Sequence, residues 1–116
     1  MPRGELRWSG GCRAGRAHGL GLLRALERGR VVQVFYGRLD AGQPVLGAVE
    51  LEGGFKAGRL EGGRWIDGDD RNTLIQAFDA AAAAARRASA AYRKAGNAAS
   101  ARHYAGKAEQ LAQQID

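Results

Sequence analysis

The sequence predicts an α+β fold, an antiparallel meander of glycine-punctuated β-hairpins packed against a C-terminal antiparallel helical hairpin. Three observations carry that prediction. Sixteen of the eighteen glycines lie at or before Gly68, and among them sit short apolar runs with strand-like alternation. Alanine dominates afterwards, with an unbroken run from Ala80 to Ala85. Apolar spacing changes at the same point, from steps of two to steps of three and four. The chain therefore divides into a β unit over residues 1–66 and a helical unit over residues 67–116, hinged on Asp67-Gly68-Asp69-Asp70.

In the β unit the runs come in order. Leu20, Leu22 and Leu23 form one, Val31 to Tyr36 a second, and Val45 to Leu51 a third. Val49 and Leu51 alternate with Glu50 and Glu52, the period of a strand with one wet face. In the second run Val32, Val34 and Tyr36 share one face, and Val31, Gln33 and Phe35 share the other. Short strands between glycine turns mean successive antiparallel hairpins.

Helical spacing begins after Asp70. Leu74, Phe78, Ala81, Ala82, Ala85, Ala88 and Tyr92 form a stripe, with Asp69 or Asp70 placed to cap its start. Gly96 is the expected stop and Asn97 the cap of a second helix. That helix gathers Ala101, Tyr104, Ala105, Ala108, Leu111, Ala112 and Ile115 on one side. So short a turn makes the helices antiparallel neighbours, and alanine lets them approach closely. Bulky apolar residues are few, with only eight aromatics in 116 residues. A one-layer sheet needs its apolar face covered, so the long first helix is expected to pack on it, with Trp65 as a fluorescent reporter of that docking.

Trp8-x-Gly10-x-Cys12-x-x-Gly15-x-x-His18-Gly19-x-Gly21 resembles the MORN repeat, with Cys12 where an aromatic is usual. Weaker copies begin at Phe35 (Phe35-x-Gly37-x-Leu39-x-x-Gly42) and at Leu51 (Leu51-x-Gly53-x-Phe55-x-x-Gly58), so the resemblance covers residues 8–64. Over residues 85–112, Ala91-Tyr92-x-x-x-Gly96-Asn97-x-x-x-Ala101-x-x-Tyr104-x-x-Lys107-Ala108 looks like a single tetratricopeptide (TPR) hairpin, with Ala85 where a large aromatic is often found. Both resemblances imply assembly rather than chemistry. The MORN resemblance also allows binding to phosphoinositide-rich membranes.

The residues able to do chemistry do not form a recognisable constellation. His18 fills the histidine position of the repeat, where it is expected to pack and hydrogen-bond within the hairpin. His103 falls between the apolar positions of the last helix and is expected to face solvent. Cys12 is alone, so it forms no intrachain disulfide, and it is expected to be a small buried hydrophobe. Gly19-Leu20-Gly21 lacks the third glycine and the Gly-Lys-Ser/Thr of phosphate loops. Asp67, Asp69 and Asp70 lack the ligand series of a calcium loop and read as turn and cap residues. No enzyme, cofactor or metal site is expected.

The net charge of +6 is uneven, with eleven Lys/Arg against six Asp/Glu in residues 1–66 and seven against six beyond. Arg3, Arg7, Arg13, Arg16, Arg24, Arg28 and Arg30 make the first thirty residues basic. They fit either a footprint for phosphates, anionic lipid or an acidic protein, or a plain solvated face. No apolar run is long enough to span a membrane, and no signal peptide is legible at Met1-Pro2-Arg3. That favours the cytoplasm, with a trimmed secreted or periplasmic chain as the alternative.

The function expected from these features is a protein-interaction or scaffold module. An electrostatic binder of anionic membrane or nucleic acid is the second expectation, and a small inhibitor or immunity-type protein the third. Arg7, Arg13, Arg16, Tyr36, Arg38, Phe55 and Trp65 form the candidate surface. The expected partner is another protein, or the chain itself as a homo-oligomer, because the terminal strands of an open sheet are edges that need covering.

Overall fold

The computed structural model describes residues 5–68 and 70–115. It is a six-stranded antiparallel sheet in which sequence order equals spatial order, followed by two helices. The strands are β1 (Glu5–Arg13), β2 (Arg16–Glu27), β3 (Arg30–Asp40), β4 (Gln43–Leu51), β5 (Gly54–Glu61) and β6 (Arg64–Trp65), and the helices are α1 (Arg71–Lys94) and α2 (Ala98–Gln113). The sheet ends at Trp65, and α1 begins at Arg71.

Two-residue turns join the strands. At Ala14-Gly15, Arg28-Gly29, Ala41-Gly42 and Gly62-Gly63 both turn residues have positive φ, the backbone that matches the twist of the flanking strands. Ala14 and Ala41 hold φ of 51° and 49°, a region that costs an L-residue about 1 kcal/mol.

The sheet is apolar on both faces. Leu22, Tyr36, Ala48 and Ala57 are successive cross-strand neighbours on the helix side. They pack with Ala81, Ala82, Ala85 and Ala88 of α1 and Tyr104, Ala108 and Leu111 of α2. Helix α1 lies across β2 to β5, as expected. On the opposite face Leu23, Phe35, Leu39, Val49 and Leu60 form a second cluster, flanked by Trp8, Ala17 and Trp65. Trp65 therefore sits on the face away from the helices. The expectation that it reports helix docking is corrected, because its cross-strand partner Leu60 belongs to that other cluster.

A row of glycines crosses the sheet beside the second cluster, Gly10-Gly21-Gly37-Gly47-Gly58, one from each of five strands. Residues two apart share a face, so an aromatic two positions before a glycine can lie down on it. The rings of Trp8 and Phe35 occupy this furrow. A methyl carbon at Gly21 would overlap the Ser9 carbonyl oxygen and come within 2.7 Å of Trp8 Cη2. One at Gly37 would overlap the Leu46 carbonyl and lie 3.0 Å from Phe35 Cζ. The strings beginning at Trp8 and Phe35 thus occupy equivalent hairpins, each with its ring in the furrow and its Ala-Gly turn. The string beginning at Leu51 is out of phase, since its Gly53 lies in a turn and its Gly58 in the furrow.

Each helix end is closed by the residues the sequence places there. Asp70 Oδ1 accepts from the Thr73 amide at 2.8 Å; Asp69 lies outside the described residues. At the other end of α1 the Gly96 amide bonds Arg93 O, and the Asn97 amide bonds Tyr92 O at 2.8 Å. Gly96, at φ 82°, makes that reversal possible. Asn97 Oδ1 then caps α2 through the Ser100 amide. Buried Ser89 ties the pair, its hydroxyl donating to Ala101 O at 2.6 Å.

Candidate interaction surface

The candidate surface residues fall into separate environments. Arg13 and Arg16 are exposed cross-strand partners beside the β1–β2 turn. With His18, Asp40 and Ala41 they line a shallow pocket, and His18 Nδ1 lies 3.4 Å from Asp40 Oδ1. His18 thus reaches from β2 to Asp40 on β3, its neighbour in the sheet. Arg7 is exposed with its Nε 3.0 Å from Glu5 Oε1, a contact that solvent screens. Arg38 is exposed on β3. Phe55 is half-buried against the helix-side cluster. Trp65 is half-buried beneath Lys56, whose Nζ lies 5.4 Å from the ring centroid.

Tyr36 is only 1% exposed, so its place on a surface is corrected, because its ring faces the helices as core. Its hydroxyl donates to Glu50 Oε1 at 3.2 Å, and burial, reinforced by the Glu50 carboxylate, pushes its pKa far above the usual tyrosine range. Cys12 is likewise corrected from buried to exposed, since it lies on the outermost strand.

Two polar bridges between sheet and helices escaped the sequence reading. Arg24, on the helix face of β2, donates to the Tyr104 hydroxyl at 2.7 Å and to the Tyr92 hydroxyl at 2.9 Å, and the two tyrosines stack at 5.6 Å. Burial alone would lower its pKa, but the two hydroxyls outweigh burial and hold it above the ordinary arginine value. Lys107 Nζ meets Glu50 Oε2 at 2.6 Å. The legible signal was a lone arginine inside the apolar run Leu20 to Ala25. Its partners, 68 and 80 residues away, leave no local trace.

The most open part of the sheet is β1. Among the described residues it pairs only with β2, and its other edge carries no strand. At its one irregularity Gly10 faces Gly21 and Cys12 faces Ala17, so the extra residues belong to β2 rather than to β1. Leu6 is 51% exposed, and Trp8 is half-buried with its Nε1 donating to Gly11 O at 2.7 Å. Beside them lies a cavity of about 470 Å³ lined by Leu6, Trp8, Leu23, Leu39, Pro44 and the Gly62-Gly63 turn. The sheet therefore curls so that its last hairpin turn faces its first strand across an apolar hollow, a size and lining suited to one or two side chains or a small ligand.

Chemical groups are dispersed. Among the described residues no three His, Cys, Asp or Glu side chains come together. Gly19-Leu20-Gly21 lies within β2 rather than in a loop, and Asp70 is engaged as a helix cap. His103 is exposed, edge-on to Tyr104. No helix is long and apolar enough to cross a membrane. Compared with models of protein families, with curated proteins and with solved structures, the chain matches none.

Proposed function

We propose that this chain is a non-enzymatic protein-interaction module, a scaffold or assembly unit. The observation that carries the reading is the bare edge of β1, with exposed Leu6 and half-buried Trp8 beside an apolar cavity. An unpaired strand edge presents a row of backbone donors and acceptors, and alternate side-chain pockets supply specificity when another strand adds to it. The resemblances to MORN hairpins and to a TPR hairpin support the same reading, as families that mediate assembly.

Affinity capture from the native lysate tests this, with beads washed at about 0.05 and then 0.5 M salt, where the screening length falls to about 4 Å. A defined protein that survives the second wash is the expected result. Recovery of nothing but nucleic acid or lipid that leaves with salt would overturn the reading. That outcome would favour a second reading, motivated by the side-by-side Arg13 and Arg16, in which the basic turn binds anionic membrane or nucleic acid. Charge reversal at both arginines then abolishes the binding.

A further inference from the structure

Resting on the interaction reading above, we propose that the partner of the β1 edge is a second copy of this chain, paired antiparallel about a two-fold axis through Ser9. The edge is built to accept a strand. It is nine residues long, carries no inserted residue of its own at the register shift, is free of proline, and lies outside the β2-to-β5 span that α1 covers. The opposite edge is made of β6, two residues long, and the stretch of β5 before it, which is shorter than β1 and lies within the span that α1 covers. Like therefore joins like, and the assembly closes at two copies instead of extending into a fibre.

Charge selects the register. Opposed residues in an antiparallel pair share a face, so the two-fold axis must pass through a residue rather than between two. Ser9 is the midpoint of β1, and an axis there overlaps all nine residues. It sets Glu5 opposite Arg13 of the second copy at both ends of the ladder, with no like charges opposed. Leu6 then meets Cys12, Arg7 meets Gly11, and Trp8 meets Gly10 of the second copy. Exposed Leu6 and Cys12 gain cover, and the ring of Trp8 already lies down against its own Gly10 and Gly21.

Other registers are worse. An axis at Gly10 opposes Arg7 to Arg13 twice, and one at Arg7 opposes Arg7 to itself. Axes at Trp8 or Gly11 lose the Glu5–Arg13 match. An axis at Leu6 pairs Glu5 with Arg7 but overlaps only three described residues. Only the axis at Ser9 combines full-length overlap with opposed charges.

The test is the mass of the purified full-length chain by sedimentation equilibrium, over roughly 1 to 500 µM, the range a small edge-to-edge interface requires. The expected result is a species of twice 12.3 kDa at the upper end. Arg13→Glu, at an exposed position, weakens the association at least tenfold, and the double exchange Glu5→Arg with Arg13→Glu restores it. In a Cys12→Ser background, Ser9→Cys links the two chains on mild oxidation, because position 9 faces itself across the axis. Wild-type Cys12 does not link, since the two copies of Cys12 lie six residues apart along the ladder, about 20 Å. A monomer throughout, or Cys12 linking as readily as the Ser9→Cys variant, overturns the proposal. If that monomer still holds a protein through the salt-washed capture, the dimer alone falls; if it holds none, the interaction reading falls with it.

Discussion

Replacing Gly21 by alanine tests the glycine furrow at a position with no complication from backbone conformation, because Gly21 does not have positive φ. The added carbon would overlap the Ser9 carbonyl oxygen and stand 2.7 and 2.9 Å from Trp8 Cη2 and Cζ2. One neighbour is backbone held in the β1–β2 ladder, so it cannot swing away. The other is a large ring tied in place by its Nε1 bond to Gly11 O. Overpacking of this kind costs about 2–3 kcal/mol. Unfolding entropy for a chain of this size is about 0.24 kcal/mol/K, so the melting temperature falls by about 8–12 °C. Gly54→Ala is the matched control, since Gly54 also lacks positive φ and nothing lies within 4 Å of the new carbon. Its effect stays within about 0.5 kcal/mol. Thermal melts followed by far-ultraviolet circular dichroism give both values. Adding Trp8→Ala to Gly21→Ala recovers part of the loss, leaving the overlap with the Ser9 oxygen. Equal melting temperatures for the Gly21 and Gly54 variants would refute the furrow as the reason for these glycines.

Three further outcomes follow from the packing. Glu50→Ala removes the shared acceptor of Tyr36 and Lys107 and lowers stability by about 2 kcal/mol in urea denaturation, more than Lys107→Met does. The Tyr36 hydroxyl titrates higher in the folded chain than its ordinary value of 10.0, through burial first and Glu50 second, so its contribution is complete below pH 10 and is lost as pH rises toward the folded value. Above pH 10 this group alone steepens the loss of stability by up to about 1.4 kcal/mol per pH unit, and Tyr36→Phe removes that component from the measured slope. Ala85→Phe inserts a ring where Ala85 has no exposed surface between helix and sheet, and it destabilises the chain by about 1–3 kcal/mol or loosens helix docking, seen as faster amide exchange in α1.

The sheet order, the helix hairpin and its caps were legible because local rules encode them. Single glycines marked turns, Asp70, Gly96 and Asn97 marked helix ends, and alanine spacing marked the buried stripe. Strand extents were read too short. β1 has little apolar alternation, since the furrow substitutes glycine for Cβ-bearing residues, and the length of β2 is hidden by Gly19 and Gly21. The second cluster was missed because a single sheet was expected to have one apolar face. The curl that buries Phe35 and Leu39 away from the helices depends on cross-strand packing, which no local pattern reports. Of the candidate surface, Arg7, Arg13, Arg16 and Arg38 are exposed as charge dictates, whereas Tyr36 is core. A tyrosine on an alternating strand reads alike on either face. The open edge of β1 was legible only in general terms, as a terminal strand. Its pairing register and its cavity required the fold.

The account rests on the β1 edge as the contact surface, and capture with wild type beside Leu6→Asp tests that most directly. Leu6 is half exposed, so the substitution leaves the fold intact while setting a charge on the edge. The account predicts that wild-type beads retain a defined protein through high salt and that Leu6→Asp beads lose it. Equal retention by both would contradict it, placing the contact elsewhere on the molecule.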